Sequence, residues 1–250
     1  MSNHLSLRSG NPVLKANTFI QRQTTIDTGT MTITGTVNKT ALGLLLLMTT
    51  AIFTWNMAPT DPRMSALMIV GIFGGLIAAI ITVFKRHLAP YTTPIYALLE
   101  GLALGGISRF FETLYPGIVN QAVFLTFGTL AALLFAYQSG LIKPTENFKL
   151  GIVAATGGIF FVYIISFILG LFGVQVPLIH SNSNFGILFS FGVVVIAALN
   201  LVLDFDFIEE GAEIGAPKYM EWFGAFGLLV TLVWLYLEIL HLLAKLQSRR

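Results

Sequence analysis

The chain contains no cysteine, which excludes disulfides, thiolate metal centres and a cysteine nucleophile and leaves the compartment open. Charge is nearly as scarce: Asp, Glu, Lys and Arg make up 10% of the 250 residues and balance to a net +2, so no basic surface for nucleic acid is available. An HExxH zinc signature and a Ser-His-Asp order are also missing, and with them any support for hydrolysis. The chain is read as a non-enzyme without a cofactor.

Hydrophobic residues are what it has in excess. They reach 55% of the sequence, the mean hydropathy is +0.81, and several uninterrupted apolar runs approach the roughly 20 residues that cross a bilayer as helix. The expected class is an all-α, polytopic membrane protein in a lipid bilayer. Seven apolar segments, over residues 40–57, 64–84, 91–108, 119–137, 150–173, 185–207 and 222–243, predict seven transmembrane helices in one bundle spanning 40–250. Short links between them make successive helices antiparallel neighbours. Residues 1–39 lack the continuous apolar region and cleavage site of a signal peptide and are read as a flexible cytoplasmic tail. Its seven threonines between Thr24 and Thr36 alternate in part with Met31, Ile33 and Val37, a pattern that favours a short extended segment once a partner is present.

Glycines recur inside the segments. Gly71-x-x-Gly74-Gly75, Gly101-x-x-x-Gly105-Gly106 and Gly157-Gly158 predict close approach of helix backbones rather than a nucleotide loop. With the N-terminus on the cytoplasmic side, nine Lys and Arg fall on that side and five on the other, so the positive-inside bias puts the termini on opposite faces.

The few ionisable residues within the spans are the functional candidates, because a charge in hydrocarbon costs several kcal/mol unless paired or hydrated. Five of the twelve acidic residues lie between Asn200 and Glu213, where Asp204 and Asp206 close the sixth apolar run. Asn200 and Asp204 are one turn apart and share a face. Glu100 lies in the third segment. Glu238 and His241, at i,i+3 in the seventh, have the spacing of a carboxylate-bundle metal ligand pair, but the second copy such a centre requires is missing.

Four stretches, MTITGTVNKT, TPIYALLEGLALGGIS, ALNLVLDFDFIEEG and YMEWFGAFGLLVTLVWLYLEILHLL, occur in this order and resemble the transmembrane Bax inhibitor motif family, in its bacterial Bax inhibitor/YccA-like branch. The resemblance implies six helices around a central one in a bacterial inner membrane, and a calcium leak gated by pH. It also implies an acidic pair on the last two helices as proton sensor and gate. Asp204 matches the first acid best, with Asp206 next. Glu238 matches the second, where the family usually carries aspartate.

Two carboxylates suit that role because like charges close together in a low dielectric cannot both ionise cheaply, so they share a proton. Oxygen ligands also suit calcium, and Asp204 with Glu238 would make transient contact with the permeant ion. Depth complicates the pairing. With the turn near residues 214–217, Asp204 lies roughly 15 Å up the sixth helix and Glu238 roughly 31 Å up the seventh. Glu100, roughly 15 Å deep, is therefore the other candidate partner. Two further readings remain open: a proton-coupled transporter, and a non-transporting partner or regulator of a membrane protease that uses the threonine-rich tail.

Overall fold

The computed structural model describes residues 29–173 and 183–249. Seven α-helices are present among them: α1 (Ile33–Trp55), α2 (Pro62–Phe84), α3 (Ala89–Leu114), α4 (Ile118–Gln138), α5 (Glu146–Leu171), α6 (Asn184–Glu213) and α7 (Met220–Gln247). Six are long and apolar enough to cross a membrane. The exception, α3, has the length at 26 residues but carries Glu100, Arg109, Glu112 and several hydroxyls on a helix that is largely enclosed by its neighbours.

Helix starts follow local chemistry. Thr32, Thr145 and Ser183 cap α1, α5 and α6 by accepting backbone N–H bonds from Gly35, Phe148 and Gly186, which satisfies donors that have no intrahelical partner. Asp61 caps α2. Its carboxyl is held below the usual carboxylate range by the backbone N–H of Arg63 and then by the Arg63 side chain.

Helix α7 is the centre. It packs against α1, α3, α4 and α6, and Leu229, Leu235 and Leu240 on it are fully buried. Helix α2 is peripheral and rests on α3, while α5 rests on α6. The outward faces of α2, α4 and α5 are apolar, with Phe73, Phe124, Phe161 and Phe167 all exposed. That arrangement fits lipid and would be unstable in water.

Glycine positions two of the contacts as expected. A Cβ added at Gly71 would lie 2.6 Å from the Leu99 carbonyl oxygen and 2.7 Å from the Ala103 nitrogen of α3, and one at Gly101 or Gly105 would strike Leu47, Ala51 and the Thr50 and Thr54 hydroxyls of α1. Gly157-Gly158 departs from expectation, since open space surrounds both; α5 is tied to its neighbours by side chains instead.

The threonine-rich stretch also departs. Residues 1–28 of the expected tail lie outside the described residues, but α1 begins at Ile33 instead of residue 40. The Thr36 and Thr40 hydroxyls donate to carbonyls four residues back, so helix satisfies the side chains that would otherwise favour an extended chain. Among the described residues extended pairing is confined to one bridge, Thr30 with Pro217, beside the Met31 N–H to Ala216 carbonyl bond.

Candidate functional site

Asp204 on α6 faces α7. The Thr231 hydroxyl is the polar group of α7 beside its carboxylate, and Gly227 adjoins it, a Cβ there standing in ordinary contact at 3.4 Å from Oδ1. The second oxygen, Oδ2, is buried and has no hydrogen-bond partner. A cavity of about 410 Å³ opens on the same residue, lined also by Lys149, Glu210 and Phe223.

Glu238 lies elsewhere. Its Oε1 accepts from the Tyr163 hydroxyl of α5 at 2.9 Å and from the Trp234 indole N–H at 3.1 Å. The residue is 6% exposed. It sits seven positions beyond Thr231, which is about 10 Å further along α7, so Thr231 rather than Glu238 is level with Asp204. Glu100 does share Asp204's depth, but its Oε2 lies against Gly75 of α2, where a Cβ would come within 2.8 Å, and α2 does not pack on α6. The expected direct pairing of Asp204 with Glu238 or Glu100 is therefore not formed. Each acid meets a different neighbouring helix: Asp204 meets α7, Glu238 meets α5 and Glu100 meets α2.

Asp206 forms an ion pair of 2.6 Å with Lys149 of α5, and both line the cavity on which Asp204 opens. Asn200 joins the same two helices, donating to the Thr156 hydroxyl and to the Ile196 carbonyl, both at 2.8 Å. The His241 ring meets Phe111 edge-on at 5.4 Å and lies away from Asp204. Among the described residues no three His, Asp or Glu side chains converge as a metal site.

The model of the family described as Bax inhibitor 1 like matches residues 11–248. The chain belongs to that family. No curated protein and no solved structure matches it. For this Bax inhibitor 1 like chain the match covers all seven helices, so the resemblance carried by four separate stretches extends through the whole bundle.

The sequence reading missed the most heavily bonded acid. Glu221, in the first turn of α7, is fully buried and accepts from the Thr32 N–H at 3.0 Å, the Thr32 hydroxyl at 2.9 Å, the Lys218 ammonium at 3.0 Å and the Lys39 ammonium. Gly35 is required above it, because any Cβ would collide with the carboxylate. The available signals were an acid directly before an apolar run, which suits a helix N-terminus, and Lys218 three residues before it; Thr32 and Lys39 lie about 180 residues away and gave no local pattern. Tyr163, Trp234 and Thr231 were missed because a lone hydroxyl or indole in an apolar helix has no distinguishing spacing.

Proposed function

We propose that the protein is a pH-sensitive, calcium-permeable leak channel of the Bax inhibitor type, gated by buried carboxylates on its last two helices. It would sit in a bacterial plasma membrane with its N-terminus in the cytoplasm, where the basic residues are more numerous. Family membership supports the class, and one observation carries the gating role: Asp204 places an unpartnered carboxylate oxygen inside an apolar bundle. A carboxylate so placed is neutral when protonated and, when ionised, draws in water or a cation. Asp204, on this reading, is the proton sensor. Glu238, clasped by Tyr163 and Trp234, is the second acid, and it joins Asp204 only if the last helices shift along each other.

Calcium flux into liposomes holding only the purified protein tests the reading. Permeation is expected to change steeply between about pH 6 and 8. Asp204→Asn should remove most of that dependence and keep the fold, whereas Asp206→Asn should leave it, since Asp206 is committed to Lys149. Double-mutant cycles of Asp204→Asn with Glu238→Gln and with Glu100→Gln identify the coupled acid by non-additivity. Absence of flux at every pH, or a pH profile that survives all four substitutions, would discard the channel in favour of a regulator bound by a membrane protease.

A further inference from the structure

Helices α1 and α4 both lean on α7 but hardly on each other, which leaves a trough between them with α7 as its floor. Toward the C-terminal end of α1 the trough is a cavity of about 340 Å³ walled by Leu47 and Ala51 of α1, Val123 and Thr126 of α4, and Leu232 and Tyr236 of α7. That volume lies within the roughly 300–1,000 Å³ of small-ligand sites. It adjoins a second cavity of about 770 Å³ through the shared residues Leu44 and Leu232, so the trough continues along α7. The polar floor group Ser108 is already bonded to the Tyr236 hydroxyl at 2.6 Å.

Arg109 stands at the outer end. It is one turn beyond Gly105, which lines the cavity, and its guanidinium stacks 5.7 Å over the ring of Trp55, another lining residue. Its Nε is buried without a hydrogen-bond partner, and no carboxylate pairs with it among the described residues. The nearest acid along the helix, Glu112, is occupied by the backbone N–H groups of Gly117 and Val119 at 2.7 and 3.1 Å. A half-buried guanidinium with an unsatisfied donor, placed near a helix end beside an indole and an apolar trough, has the chemistry of an anionic headgroup site with a place for the attached chain.

We propose that the trough between α1 and α4 seats an acyl chain of an anionic phospholipid whose phosphate is held by Arg109. The trough lies between membrane-spanning helices, where hydrocarbon chains are the abundant apolar partner, and Arg109 selects among them by charge. The bound chain would fill the gap between the two helices and brace them against α7.

Native mass spectrometry of the full chain released from detergent tests this, with phosphatidylglycerol and phosphatidylcholine of identical acyl chains as probes. The wild type should retain phosphatidylglycerol about tenfold more than phosphatidylcholine, because phosphatidylcholine offers the same phosphate only together with a quaternary ammonium that the Arg109 guanidinium repels. Arg109→Gln should reduce retention of phosphatidylglycerol to the phosphatidylcholine level, and Arg109→Lys should keep a preference for it. Val123→Trp, which puts bulk into the trough from the half-exposed face of α4, should lower retention of both lipids. Equal retention of the two lipids by the wild type, an undiminished preference in Arg109→Gln, or full retention in Val123→Trp would overturn the proposal. Displacement of the lipid by millimolar inorganic phosphate would overturn it as well, since the anion alone would then account for the site.

Discussion

Removing the Glu221 carboxylate should unfasten the N-terminal segment from the start of α7. Four donors converge on this fully buried group, and Lys39, whose side chain is 21% exposed, would lose its acid partner while Thr32 lost the acceptor for both its N–H and its hydroxyl. Breaking a buried, hydrogen-bonded ion pair from one side costs about 3–5 kcal/mol. At roughly 2–4 °C per kcal/mol for chains of this size, Glu221→Ala should melt roughly 6–20 °C below the wild type in detergent. Glu221→Gln keeps an acceptor for Thr32 but drops the attraction to both lysines, so it should lose about half as much, on the order of 1.5–2.5 kcal/mol. Combining Glu221→Gln with Lys39→Met in a double-mutant cycle should show a coupling of about 1–3 kcal/mol, and limited proteolysis should cut near Thr30 sooner in the variants. A Glu221→Ala protein that melts within about 2 °C of the wild type, with additive cycle energies, would refute the assignment of this acid as the tie between α1 and α7.

The glycines make a second, two-sided expectation. Gly71→Ala forces a Cβ onto α3 backbone atoms 2.6 and 2.7 Å away and should lower the yield of monodisperse protein sharply, whereas Gly128→Ala, with nothing within 4 Å, should raise the melting temperature slightly, as expected from about 0.5–1 kcal/mol gained in a helix interior. Equal behaviour of the two variants would show that α2 and α3 are not packed as closely as described. Reporter fusions to the two ends should report opposite sides of the membrane if α3 crosses along with the six apolar helices, an odd total; two cytoplasmic signals would mean that α3 does not cross.

Residue order alone determined the class, the number of helices and the family, since each rests on local patterning: apolar runs long enough to span hydrocarbon, interrupted by turn residues. It also located Asp204 as an acid inside a span, and the rise per residue showed that Glu238 lies too far along α7 to meet it without movement. The glycine contacts of α2 and α3 were legible for the same reason, and those of Gly157-Gly158 were not, because small residues permit a close approach without supplying the neighbour. What only the tertiary structure decided was partnership. Asp204 and Asp206 are two positions apart, about 200° around a helix, so one faces Thr231 and the other Lys149. Glu221 draws Thr32 and Lys39 from a segment about 180 residues earlier, and Arg109 meets Trp55 across the gap between α3 and α1. Such pairings depend on how helices rotate and slide as they pack, and those degrees of freedom are set by the summed contacts of the whole bundle rather than by spacing within any one helix.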